Sequence, residues 1–158
     1  MIQVSRDQTV ISNKNRGSPV RNKPLPAVSY LKIPDNGDPY LEGLQCGACK
    51  TTFLGVRQVC SKCGTRDQMA PKRLPNSGKL YSYSIVHRSF PGVAVPYISA
   101  IVDLDDGTAL KGNLINVDPD PQAIAFDMPV EVVYADALGR KDREGNSYIS
   151  YFFQPKSA

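Results

Sequence analysis

Four cysteines fall in one short window of this 158-residue chain, as Cys46-Gly-Ala-Cys49 and Cys60-Ser-Lys-Cys63, and the sequence holds no others. Two Cys-x-x-Cys turns, ten residues apart, can close four thiolates tetrahedrally around one metal ion. Each such turn aims backbone N–H groups at its sulfurs. Gly64, directly after the second pair, suits a turn that needs positive φ. Two structural disulfides, or four unrelated core cysteines, form the competing reading. The paired spacing favours zinc, and this part of the chain reads as a zinc ribbon.

The same residues bear on the redox compartment. A secreted disulfide protein is expected to open on an apolar export signal, whereas this sequence opens Met-Ile-Gln-Val-Ser-Arg-Asp-Gln. No later stretch is long and apolar enough to span a bilayer. The expectation is a soluble, cytoplasmic protein whose thiolates stay reduced and free to hold metal.

Charge is distributed unevenly along the chain. The formal net charge is +4, but residues 1–24 carry +4, residues 25–44 carry −2, residues 45–77 carry +5 and residues 78–158 carry −3. A tetrathiolate zinc centre carries −2, so the metallated ribbon keeps a surplus near +3. The ribbon is therefore where an anionic partner is expected.

Three regions follow. Residues 1–37, rich in Pro, Asn, Lys and Arg, read as an extended basic arm, ordered only against a partner. Residues 38–77 form the zinc ribbon, opened by one helical turn with Asp38 as N-cap and Pro39 in the first position. From residue 78 to 158 the pattern has period two. Strands are expected at 79–88, with Tyr81, Tyr83, Ile85 and His87 on one face, and at 96–104, 108–115, 129–134 and 147–153. Asp105-Asp106-Gly107 signals a hairpin, and a short helical turn is expected before Ile124. Gly107, Gly112 and Gly139 read as turns. The fold class is mainly β: a rubredoxin-like zinc ribbon followed by a five-stranded OB-type barrel, with a sandwich as the alternative.

Little here supports catalysis. Four thiolates leave the metal no open position for water or substrate. Iron accepts the same ligands, but the pairs lack the proline usual in rubredoxin-like cages. No cysteine is left over as a nucleophile, and the only histidine, His87, lies in a strand pattern. No nucleophile elbow, paired carboxylates or phosphate-cradling glycine loop is present. No catalytic residue is assigned. The alternative function is single-stranded nucleic-acid binding on the barrel face, which needs stacking aromatics in a basic groove. Tyrosines are plentiful, but the acidic barrel segment offers no such groove.

The chain resembles the zinc-ribbon/OB-fold family, formerly a domain of unknown function, that accompanies thiolases. The resemblance covers about residues 38–155. It rests on Tyr40-Leu-Glu-Gly before the cysteines, then Cys46-Gly-Ala-Cys49, Phe53, Arg57 and Cys60-Ser-Lys-Cys63-Gly64. It continues through Ser77-Gly78-Lys-Leu-Tyr-Ser-Tyr-Ser-Ile-Val-His87-Arg, the Pro96–Leu104 strand, Gly112-Asn113-Leu114 and Met128-Pro-Val-Glu-Val. The helical hairpin that usually precedes the ribbon is shortened here.

The resemblance implies a non-catalytic accessory subunit of a thiolase-type complex that degrades an unusual acyl-CoA, aromatic or steroid-like. A thiolase-fold partner would supply the nucleophilic cysteine, and this chain would help bind acyl-CoA. The metal ligands are Cys46, Cys49, Cys60 and Cys63, holding one zinc. Arg57, Lys62 and Arg66 are the candidates for the CoA phosphates.

Overall fold

Alternating apolar residues after Ser77 build the larger of two sheets in the computed structural model, which describes residues 23–156. In chain order the strands are β1 (Leu25–Pro26), β2 (Leu31–Lys32), β3 (Tyr40–Cys46), β4 (Thr52–Phe53), β5 (Met69–Arg73), β6 (Ser77–Val86), β7 (Tyr97–Leu104), β8 (Ala109–Leu114), β9 (Pro129–Lys141) and β10 (Ser147–Pro155). No helix occurs among the described residues.

Strands β6 to β10 close a five-stranded barrel in the order β6-β7-β8-β10-β9, with β9 returning to β6. All pairings are antiparallel except β8 with β10, which is the OB arrangement. The β7–β8 hairpin forms at Asp105-Asp106-Gly107, as its sequence signals. Gly107 takes φ +80°, and the Asp106 carboxylate accepts the Thr108 N–H at 3.1 Å.

The seam between β8 and β10 is narrow, with a single paired position, Phe153 opposite Leu114. Side chains close the rest. Tyr151 donates its hydroxyl to the carbonyl of Lys111 at 2.5 Å. Gly112, expected as a turn, lies inside β8, because a Cβ there would stand 2.9 Å from the Phe153 ring and 3.0 Å from the Tyr151 ring. Its smallness serves packing rather than chain reversal.

A bulge changes the expected face of β6. Leu80 pairs with Val102 and Ser82 with Ile101, so Tyr81 is the extra residue and stands 64% exposed. Before the bulge Leu80 points inward, and after it the half-buried Tyr83 and Ile85 do. Tyr81 therefore leaves the face assigned to it. His87 lies just beyond the strand end and is exposed.

Residues 1–22 of the expected arm lie outside the described residues. Residues 23–37 differ from expectation, because their apolar side chains are used by the fold. Strand β1 runs parallel to β10 at Tyr148 and Ile149, and β2 pairs with β3. Leu31 is 1% exposed within the central core, and the hydroxyls of Tyr30 and Tyr151 meet at 2.9 Å. Since Tyr151 already gives its proton to Lys111, Tyr30 is the donor in that pair.

The helical turn expected after Asp38 is instead strand. Tyr40–Cys46 pairs with β2, β4 and β5, and Leu41 is fully buried. Its alternating burial outweighs the capping signal. Before Ile124 there is a turn, held by the Ala123 N–H to Asp120 carbonyl bond of 3.0 Å, and no helix.

The smaller sheet, β2 to β5, stands on the barrel without a break in the core. Leu31, Leu41 and Leu74 belong to the same buried cluster as Leu80, Val102, Val130 and Phe153. Gly43 in β3 permits this, because a Cβ would come within 3.0 Å of Leu74 and of Thr52. No helix among the described residues is long and apolar enough to cross a membrane.

Candidate metal centre

Strand β3 ends at Cys46, and its hydrogen bonds place the first cysteine turn. The Cys46 N–H reaches Thr51 carbonyl at 2.9 Å, and the Lys50 N–H returns to Cys46 carbonyl at 3.0 Å. The second turn repeats both bonds: Cys60 N–H to Thr65 carbonyl at 2.9 Å, and Gly64 N–H to Cys60 carbonyl at 2.9 Å. Lys50 (φ +59°) and Gly64 (φ +73°) occupy matching left-handed positions. The two halves are thus near copies, facing one another.

Their sulfurs converge. All four Sγ atoms lie within 4.8 Å of one another, with Cys49–Cys60 at 3.5 Å and Cys46–Cys63 at 3.7 Å. A tetrahedron with metal–sulfur bonds of about 2.3 Å has edges of about 3.8 Å. A disulfide needs about 2.05 Å. The spacing fits four ligands around one metal ion and not two disulfides. Cys46 and Cys60 are buried and Cys63 is exposed, so the site sits at the surface with its inner half covered.

The acid–base state of the thiols supports a cation at the centre. Cys49 is pulled down to about 6 by the Thr51 hydroxyl, 3.3 Å from its sulfur, and by the Thr51 N–H. Cys63 is lowered in the same way by the hydroxyl and N–H of Thr65. At Cys60 the N–H groups of Cys63 and Lys62 draw downward. Burial and the adjacent Cys49 and Cys63 sulfurs outweigh them, and the thiol is pushed up to about 11. Four thiolates this close cannot all ionise alone, and a divalent ion at their centre removes the conflict.

Thr51 and Thr65 lie against the cluster, and the spacing of cysteines did not single them out. The signal is in the sequence: Cys-x-x-Cys-x-Thr occurs twice, at 46–51 and 60–65. A hydroxyl two residues after the outer cysteine of each pair lies 3.3 and 3.2 Å from its sulfur, in position to donate once the thiol is ionised.

The three basic candidates separate. The Arg57 guanidinium stacks on the Phe53 ring at 4.1 Å and donates to the Leu54 carbonyl and the Ser61 hydroxyl, at 3.3 and 3.2 Å. It braces the loop between the cysteine pairs. Lys62 and Arg66 are exposed, and their side chains make no hydrogen bond or ion pair within the described residues. Toward the barrel, Lys72 on β5 forms an ion pair with Asp106 and reaches the Thr52 hydroxyl at 3.4 Å.

Residues 72–135 match the family model for the ChsH2 C-terminal OB-fold domain. A DUF35 domain-containing scaffold protein of Methanocaldococcus jannaschii is 34% identical over 118 residues, which is 73% of this chain and 81% of that protein. The benzoylsuccinyl-CoA thiolase subunit BbsA of Geobacter metallireducens is 37% identical over 86 residues, covering 53% of this chain and 57% of that protein. A solved structure described as an Ltp2-ChsH2(DUF35) aldolase superposes with a TM-score of 0.58 at 29% identity, covering 73% of this chain and 84% of that one. With a third of the residues shared across most of the Methanocaldococcus jannaschii scaffold protein, this chain belongs to the DUF35 family.

Proposed function

We propose that this chain is the non-catalytic accessory subunit of a cytoplasmic thiolase-type acyl-CoA complex, holding one zinc ion in a ribbon over residues 38–77 and using the barrel over 78–158 for assembly. The observation that carries the reading is the likeness to BbsA, described as a thiolase subunit, in a chain whose four cysteines all converge in one cluster. All four cysteine sulfurs lie within 4.8 Å of one another, and the single histidine is exposed beyond a strand end.

Cys46, Cys49, Cys60 and Cys63 hold the zinc, which stabilises the ribbon and brings no reactive position. Lys62 and Arg66 are the residues for the CoA phosphates, because their charges are exposed and unshared. Arg57 acts as a positioning residue, keeping the loop beside them in place. The acyl-CoA is an unusual one, aromatic or steroid-like, undergoing cleavage of a carbon–carbon bond in the partner's active site.

The test is co-expression with the thiolase-fold protein encoded nearest to this chain in its own genome. A stable complex that turns over acyl-CoA and CoA is expected, with no turnover from this chain alone. Turnover by the isolated chain, or failure of the two proteins to associate, refutes the reading.

A further inference from the structure

The end of the barrel remote from the ribbon carries an apolar face. The β6–β7 connection, residues 87–96, exposes Phe90 (84%), Val93 and Val95, and the segment before β9 exposes Phe126 (66%). Two grooves flank the connection. One, of about 600 Å³, is lined by Tyr83, Ile85, His87 and Phe126; the other, of about 300 Å³, by Ala94, Pro96, Tyr97 and Leu138. Pro119 lines both, so the face is continuous.

Its most exposed ring is held in place. Phe90-Pro91-Gly92-Val93 is a tight turn, with Gly92 at φ +86° and the Val93 N–H bonded to Phe90 carbonyl at 3.1 Å. Proline followed by a positive-φ glycine is the type II arrangement. A ring presented by a rigid turn loses little freedom on binding, which is the property of an interface anchor.

The surrounding charge selects the occupant. Asp120 lies in the larger groove, and Asp118 and Asp127 adjoin its lining residues Pro119 and Phe126, against one exposed cation on the connection, Arg88. An anionic membrane or a nucleic acid would meet like charge there. A protein surface with an apolar pocket and a basic residue facing Asp120 is complementary. We infer that this barrel end, anchored by Phe90 with Val93 and Phe126, is the docking face for the thiolase-fold subunit. The inference rests on the function proposed above and adds a place to it: assembly occurs at one end of the molecule, leaving Lys62 and Arg66 at the other for CoA.

The test measures affinity between the full-length chain and the same thiolase-fold protein by calorimetry, using Phe90→Asp and, as a control, Tyr81→Asp on the exposed barrel wall. Phe90→Asp is expected to weaken binding at least about 30-fold. The control is expected to stay within about threefold of wild type. Metal content and thermal midpoint should not move in either, since both side chains are largely exposed. Wild-type binding that Phe90→Asp leaves intact overturns the docking face while the accessory-subunit reading stands. Absence of wild-type binding overturns both. Wild-type self-association, or capture by phosphatidylglycerol vesicles, that Phe90→Asp abolishes overturns the choice of occupant in favour of a second copy or a membrane.

Discussion

Lys72 Nζ lies 2.8 Å from Asp106 Oδ2 and joins the cysteine-bearing sheet to the β7–β8 hairpin of the barrel. The aspartate side chain is only 12% exposed, so the contact is better shielded than a surface pair. Burial alone would raise the Asp106 carboxyl, but hydrogen bonds from Lys72 and Thr108 outweigh it, and the group sits below its ordinary range. A carboxyl depressed by folding stabilises the native state above its unfolded pKa of about 3.9. That contribution is lost as pH falls through the lower folded value. Asp106→Asn is therefore expected to cost about 1–2 kcal/mol at neutral pH. Urea unfolding should show the gap between the two proteins closing as pH drops below about 4. A gap independent of pH would refute the pairing.

Metal affinity should depend on the two threonines. Thr51→Val and Thr65→Val each remove a hydroxyl from beside a cysteine sulfur and are expected to weaken metal retention about 10- to 100-fold. Competition with a chromophoric chelator measures this directly. Thr→Ser variants, which keep the hydroxyl, should stay close to wild type. Cys60→Ser should abolish binding altogether and lower stability sharply.

The matched turn positions give opposite outcomes for two substitutions. Gly64→Ala places a Cβ at φ +73° and is expected to cost about 1 kcal/mol. Lys50→Gly relieves a side chain at φ +59° and should be neutral or slightly stabilising. Thermal unfolding of the metal-loaded protein distinguishes them, and equal losses from both would contradict the duplicated geometry.

Leu31 tests the standing of the N-terminal region. In a solvated arm, Leu31→Ala would change nothing. Fully buried against the barrel core, it is expected to cost about 2–4 kcal/mol. Tyr30→Phe, which removes the hydroxyl donor to Tyr151, should cost about 1 kcal/mol.

These residues also show what could be read from the sequence. The cysteine spacing and the Asp-Asp-Gly hairpin carry local chemistry that acts wherever the chain goes, and both appear where expected. Five barrel strands were legible from alternation, because an inward face repeats every second residue. Leu31 and Gly112 were not legible, because each takes its role from partners far along the chain: the barrel core for one, the Tyr151 and Phe153 rings for the other. Tyr81 was misassigned for a related reason. A bulge shifts the alternation by one, and nothing in the composition of β6 marks the position where it does so. Of the basic candidates, Arg57 was distinguished only by its neighbours, Phe53 and Ser61.

The pairing of β1 with β10 brings Leu25 beside Tyr148, so that the first and last described strands touch. During synthesis, residues 23–37 leave the ribosome long before the strand that receives them exists. Their pairing cannot form until Ser147–Pro155 has been made. Until then Tyr30 lacks its partner Tyr151, so this contact is a long-range one that slows rather than speeds the closing of the fold. A linker that carries the chain from Pro155 back to Leu25, with new termini opened in the exposed loop at Gly145, is expected to make those contacts local and folding faster.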